Sequence, residues 1–140
     1  MVHEFYGITQ DTETNNYMMV LNNKCKKCNK ICNAMQFQHE FIDWTSGNNY
    51  IDEFIQATQL LAHINVGEVL EWIPYDKLCD IKYVAEDEFG KVYRANWIDG
   101  KISYWDNLNQ NWRRYNHNMF VNLKILNDPK NLTLEFINKV

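Results

Sequence analysis

Five short apolar segments, separated by turn-forming residues, occupy the stretch from Asp80 to Leu126 and constrain the fold more than any other feature. They read DIKYVA, KVYRANWI, KISYW, WRRY and MFVNLKIL. Short runs rich in aromatic and β-branched residues, divided by connections such as Asp99-Gly100, are typical of antiparallel strands. The stretch therefore predicts a twisted antiparallel sheet. We expect Trp105 and Trp112 to face each other across a hairpin within it.

Helical patterns flank this stretch on both sides. The run YIDEFIQATQLLAHI has helical spacing of its apolar residues, and Asn48 or Asn49 can cap it. Near the C-terminus, Asp128 and Pro129 mark the start of another helix. The apolar residues of that helix fall four apart, at Leu132, Phe136 and Val140. The predicted fold class is therefore α+β: a twisted antiparallel sheet with one packed helix, preceded by a helical segment and a cysteine-rich knuckle.

Composition and charge exclude several classes of function. The net charge is −4 and the two signs are interspersed, which argues against nucleic acid or an anionic membrane surface as the main partner. No apolar run approaches the roughly 18–20 residues of a membrane span. The start MVHEFYGITQ lacks the pattern of a signal peptide. We therefore expect a cytoplasmic protein, whose cysteines are thiols or metal ligands rather than disulfides.

Three cysteines near the N-terminus have the spacing C-x2-C-x3-C, at Cys25, Cys28 and Cys32. His39 follows seven residues after Cys32. A structural zinc ion takes four ligands of this kind in a tetrahedron, so these four residues form a candidate zinc site. The alternative is an exposed thiol cluster without metal. The other histidines have no partner at useful spacing, and we expect them to be surface or satisfied residues: His3, His63 and His117.

The order of the later elements provides a resemblance to a known family. AEDEFGKV stands where a protein kinase has its glycine-rich turn, VNLK where it has the lysine-bearing strand, and LEFINKV where it has the following helix. WTSGN, a helix and WIPY precede them, and a cysteine-rich knuckle precedes those. Over nearly its whole length the chain resembles a lineage-expanded fungal family of protein kinases related to the tyrosine-kinase-like group.

One part of this resemblance is out of order. FYGITQDTETNNYMMVL resembles the fourth and fifth strands of the same kinase lobe, which normally follow the helix. The resemblance implies four regions: a hairpin remnant at 1–21, a cysteine-rich knuckle or linker at 22–42, a helical linker at 43–78, and a truncated small lobe at 79–140. We expect YMMVL to pair beside VNLKIL and so rebuild a five-stranded sheet.

The resemblance also implies an ATP site in degenerate form. In a kinase the glycines let the turn approach the phosphates, and the strand lysine pairs with them. Ala85 and Asp87 stand where the first two glycines belong, and the charge of Asp87 makes ATP binding weak or lost. The implied nucleotide-binding residues are Val84, Ala85, Asp87, Phe89, Gly90, Val92, Asn122 and Lys124.

The implied function is ATP-dependent protein phosphorylation in signalling. No catalytic loop or D-F-G motif follows the helix, so no catalytic residue is assigned and we expect the chain alone to be inactive. The helix glutamate of kinases falls at Lys139, which we expect to pair with Glu135 on the helix surface. The alternative is that Glu135 reaches Lys124. Two alternatives stay open: a pseudokinase module that binds other kinases or other proteins without nucleotide, and a small zinc-binding adaptor.

Overall fold

A computed structural model describes residues 5–88 and 90–132 of the chain. The chain divides into two compact units, Met1–Cys32 and Asn33–Val140. Both units contain antiparallel strands, and the second also contains helices, so the fold is α+β as the sequence predicts.

The first unit contains a β-hairpin followed by the cysteine-rich segment. Strand β1, Phe5–Gln10, pairs antiparallel with β2, Tyr17–Leu21. In the connection, the Asp11 carboxylate accepts hydrogen bonds from the backbone N–H groups of Glu13 (2.8 Å) and Thr14 (3.4 Å). This hairpin agrees with the strand pattern of the sequence.

Two helices open the second unit. Helix α1 spans Asn33–Glu40, and α2 spans Asn49–Leu60. The Asn48 side chain caps α2 by accepting from the backbone N–H groups of Tyr50 (2.9 Å) and Ile51 (3.2 Å), which confirms the predicted start. Helix α1 lies in the region that the sequence assigned to a knuckle or linker. It is short and buries only two of its side chains, so its helical pattern is weak.

All five predicted strand segments form strands. These are β3 (Leu78–Asp87), β4 (Gly90–Trp97), β5 (Lys101–Asp106), β6 (Asn111–Tyr115) and β7 (Met119–Lys124). They form two sheets rather than the single expected one: β3-β4-β7, with β4 in the centre, and a separate hairpin β5-β6.

The turn after β4 directs the chain away from the three-stranded sheet. Gly100 has a φ of 73°, and a Cβ there would clash with the backbone carbonyl oxygen of Tyr115. Arg114 donates a hydrogen bond to the Gly100 carbonyl (2.8 Å), which holds this turn against the end of β6. Asp99-Gly100 is therefore a turn, as predicted, but the strands on either side of it do not pair with each other.

The predicted five-stranded sheet is wrong. Strand β2 pairs with β1 in a two-stranded sheet, whereas β7 pairs with β4, with Val92 opposite Lys124 and Ala95 opposite Val121. The local hairpin needs only the short connection between β1 and β2 to close. The expected pairing would have joined segments about a hundred residues apart, at a greater cost in loop-closure entropy.

The core of the second unit joins its helical part to the β5-β6 hairpin. Its buried residues are Phe37, Ala62, Val66, Ile102 and Trp112. The Phe37 and Trp112 rings stack with centroids 4.3 Å apart. Trp105 lies opposite Trp112 in register and meets it edge-on at 5.1 Å, which confirms the predicted tryptophan pair. Because aromatic rings bury large areas, this cluster fixes the hairpin against α1.

Polar contacts surround this core. The Trp112 indole donates to the Glu40 carboxylate at 3.1 Å. Arg114 makes two hydrogen bonds to the Glu71 carboxylate, at 3.1 and 2.6 Å. Burial raises the pKa of the Glu40 carboxyl, and the hydrogen bond from Trp112 opposes that rise.

Where the sequence predicts the start of a C-terminal helix, the structure has a 3-10 turn, and the backbone is already extended at Leu132. Asp128 accepts from the backbone N–H of Lys130 (3.0 Å) and caps a 3-10 turn at Pro129–Asn131. Glu135, Phe136, Lys139 and Val140 lie outside the described residues, so their predicted packing and pairing stay predictions. Within 5–88 and 90–132, none of the helices has the length and apolar character needed to cross a membrane.

Candidate functional sites

One face of the three-stranded sheet carries most of the predicted nucleotide-binding residues. Ala85 lies opposite Val92, and Val92 lies opposite Lys124. Cross-strand partners share a face, as do residues two apart on one strand. Asn122 and Asp87 therefore lie on the same face as this row. We refer to it as the lysine face.

Lys124 and Asp87 form an ion pair on the lysine face. The Lys124 Nζ lies 2.6 Å from an Asp87 carboxylate oxygen, and the two side chains are 28% and 41% exposed. Strand β7 supplies the lysine, and the tip of the β3-β4 hairpin supplies the aspartate. The Lys124 amine therefore reaches the tip of the hairpin, where the Asp87 carboxylate contacts it.

The turn itself has one position that requires glycine. Gly90 has a φ of 121°, a conformation that residues with a Cβ rarely adopt, while a Cβ there would meet no atom within 4 Å. Gly90 is therefore needed for its backbone conformation rather than for close packing. Val84 lies where the β3-β4 register shifts, between Tyr83 and Ala85. Phe89 lies outside the described residues.

The first unit brings three thiols together. The sulfur atoms of Cys25, Cys28 and Cys32 lie within 4.8 Å of one another. Cys32 is buried and the other two are half-buried. None of the four cysteines, all within the described residues, forms a disulfide. A sulfur cluster of this size suits a metal ion that prefers thiolate ligands, such as zinc.

The backbone around these thiols forms a tight knuckle. Asn29 has a φ of 56° and donates from its backbone N–H to the Cys25 carbonyl (2.7 Å). The Cys25 N–H in turn donates to the Lys30 carbonyl (2.8 Å). A hydrogen bond from the Cys28 backbone lowers the pKa of the Cys25 thiol, with a smaller contribution from Lys27 and with burial opposing. Thiolate is the form of cysteine that binds metal.

His39 and His63 lie at different places in the second unit: His39 at the end of α1, and His63 just after α2. His39, the predicted fourth ligand, is an exposed residue in the last turn of α1. His63 follows α2 and is half-buried; its carbonyl accepts from the backbone N–H of Asn33 (3.3 Å). The Asn33 side chain also donates to the Ile64 carbonyl (3.1 Å). The sequence spacing gave no signal for this link, because it joins residues about thirty positions apart.

An apolar cleft of about 430 Å³ lies in the second unit. Its walls come from α2, the following loop and the ends of three strands, and include Phe54, Ile55, Trp97, Ile102 and Met119. Glu71, which lines this cleft, accepts a hydrogen bond from Arg114. The cleft contains none of the residues that the sequence assigned to a site.

Comparison of the chain with protein-family models, with curated proteins and with solved structures found no match.

Proposed function

We propose that the second unit is a protein-binding module built like the small lobe of a protein kinase, with its nucleotide face closed by an internal ion pair. The strand arrangement supports this, since the lysine-bearing β7 lies beside the second strand of the turn-bearing hairpin. That is the arrangement expected from the kinase resemblance. The single observation that carries the proposal is the contact between Lys124 and Asp87.

The ion pair opposes nucleotide binding in two ways. An incoming phosphate would have to displace the carboxylate from Lys124 and would then meet its negative charge at close range. Two like charges about 4 Å apart repel by about 1 kcal/mol in water and about 4 kcal/mol at an effective dielectric of about 20. Since about 1.4 kcal/mol is a factor of ten, nucleotide affinity falls by roughly ten- to a thousandfold.

The remainder of the lysine face suits a protein partner. Arg94 lies opposite both Lys82 and Asn122, and Phe120 on β7 is 74% exposed. Basic side chains on the same face as an exposed aromatic ring are complementary to a partner segment that combines acidic and apolar residues. We therefore propose an acidic, partly apolar peptide segment as the ligand of this face.

A nuclear magnetic resonance titration with Mg-ATP tests the closed face. We expect the wild-type chain to show no localised change, and Asp87→Gly to show changes at Gly90, Val92 and Lys124. Glu86→Gly is the matched control, because it removes the same charge one residue away. Wild-type changes at these residues would contradict the closed face, and an unresponsive Asp87→Gly variant would contradict a latent nucleotide site.

Selection from a displayed random peptide library tests the partner chemistry. We expect enriched sequences to combine acidic and apolar residues and to lose binding when Arg94→Glu is combined with Phe120→Ala. Enrichment without any charge preference, or binding unaffected by the double substitution, would contradict this role for the lysine face.

A second candidate function, carried by the knuckle geometry, is zinc binding in the first unit. We propose that Cys25, Cys28 and Cys32 bind one structural zinc ion, which would stabilise this small segment directly. Metal analysis of protein purified with zinc should find one equivalent in the wild type and in Cys79→Ser, and much less in Cys28→Ser. A wild-type protein without zinc would contradict the proposal.

A further inference from the structure

We propose that His63, and not His39, supplies the fourth ligand of the zinc site. This inference rests on the zinc site proposed above. Three thiolates leave one position of a zinc tetrahedron open. Apart from the three cysteines, residues 22–32 contain no side chain that commonly binds zinc: there is no histidine, aspartate or glutamate. The fourth protein ligand must therefore come from elsewhere in the chain.

Contacts within the second unit hold the loop that contains His63 against Asn33. Asn33 is joined to Cys32 by a peptide bond, and its backbone N–H donates to the His63 carbonyl. Its side chain donates to the next carbonyl along, that of Ile64. Two hydrogen bonds therefore hold the loop after α2 against the residue that directly follows the third cysteine.

The same helix carries His39 away from this point. Asn33 begins α1 and His39 lies in its last turn. At 1.5 Å per residue, six residues of helix correspond to about 9 Å along the axis. His39 is also exposed, whereas His63 is half-buried.

The charge around the site is consistent with a neutral imidazole as the fourth ligand. Binding converts three thiols to thiolates and releases three protons, so Zn²⁺ with three thiolates and one histidine carries one surplus negative charge. Lysines between and beside the cysteines can balance that charge: Lys24, Lys26, Lys27 and Lys30.

Cobalt substitution of the full chain tests His63 directly. Co²⁺ replaces zinc in such sites, and its visible spectrum reports the number of sulfur ligands. We expect His63→Ala to change that spectrum and to weaken zinc binding by at least about tenfold, as loss of even a supporting residue does. His63→Cys should restore tight binding with a four-sulfur spectrum. His39→Ala, the matched control, should behave as the wild type.

The outcomes separate the two proposals. If His63→Ala keeps the wild-type cobalt spectrum and zinc affinity while Cys28→Ser loses metal, the zinc site stands and His63 is not its ligand. If His39→Ala produces the loss instead, the assignment is reversed. If the wild type binds neither metal, the zinc site itself is contradicted. Far-ultraviolet circular dichroism of each variant checks that the helices are retained.

Discussion

Lys124 and Asp87, thirty-seven residues apart in the sequence, meet in an ion pair with a nitrogen-to-oxygen distance of 2.6 Å. The pair joins the edge strand of the three-stranded sheet to the tip of the hairpin beside it. In a nucleotide-binding lobe this amine would contact phosphate. Here Lys124 contacts a carboxylate of the chain itself, which is why we propose protein binding rather than nucleotide binding for this face.

The ion pair should contribute little to the stability of the fold. Both side chains are partly exposed, and pairs of that kind contribute about 0–1 kcal/mol. We expect the coupling free energy from a double-mutant cycle of Asp87→Asn and Lys124→Met, measured by urea unfolding, to lie below about 1 kcal/mol. A coupling of several kcal/mol would indicate that the pair is a structural element and would weaken its interpretation as a closed binding face.

Removal of the Phe37 ring from the core should destabilise the fold strongly. Phe37 is 2% exposed and stacks on Trp112. We expect Phe37→Ala to lower the free energy of unfolding by about 3–5 kcal/mol, because it removes buried area and leaves a cavity. Phe120→Ala is the matched control and should cost less than about 0.5 kcal/mol, since that ring is 74% exposed. Equal losses in the two variants would contradict the assigned core.

Gly100→Ala should destabilise the turn between β4 and β5. The new Cβ would clash with the Tyr115 carbonyl, and the φ of 73° disfavours any residue with a Cβ. We expect a loss of more than about 1 kcal/mol in the free energy of unfolding. Gly7→Ala, where a Cβ would meet no atom within 4 Å, should change it by less than about 1 kcal/mol. A neutral Gly100→Ala would show that the turn differs from the one described.

Glu40 should make the fold less stable as pH rises. Burial is the largest cause of its raised pKa; Asp43 and Glu71 add to the rise, whereas Trp112 and Arg114 oppose it. A carboxyl with a raised pKa in the folded state binds its proton more tightly there. The resulting stability is present below the unfolded value, near 4.5, and is lost as pH rises through the folded pKa.

Glu40→Gln isolates this effect, because an amide oxygen can still accept from the Trp112 indole. We expect the variant and the wild type to have similar free energies of unfolding near pH 4. The variant should become the more stable of the two as the pH is raised to neutrality. Urea unfolding across that range measures the difference. A wild type that gains stability relative to Glu40→Gln over the same interval would contradict a raised pKa.

The strands of the second unit could be predicted from local sequence, and their grouping into sheets could not. Aromatic and β-branched runs divided by turn residues identify each strand, and Asn48 identifies the start of α2. Which strands pair depends on contacts between distant residues. The β5-β6 hairpin leaves the larger sheet because Trp112 packs on Phe37, a residue in a helix whose own pattern is too weak to detect.

In the candidate sites, too, local features could be predicted from the sequence, whereas contacts between distant residues could not. The three cysteines could be found from spacing alone, since a metal knuckle needs its thiols a few residues apart. The link from Asn33, the first residue of α1, to His63 is a backbone hydrogen bond, and backbone groups leave no trace in residue type. Likewise, the sequence indicated a charge at Asp87 but not that its carboxylate would contact Lys124.

Thermal unfolding of the wild-type chain in the presence of Mg-ATP tests the closed nucleotide face most directly. A ligand at about one hundred times its dissociation constant stabilises the folded state by about 2.7 kcal/mol, which is readily measured. We expect no change in the unfolding temperature up to millimolar Mg-ATP. A concentration-dependent rise that Lys124→Met abolishes would show that the amine still binds nucleotide, and the proposal that Asp87 closes this face would be wrong.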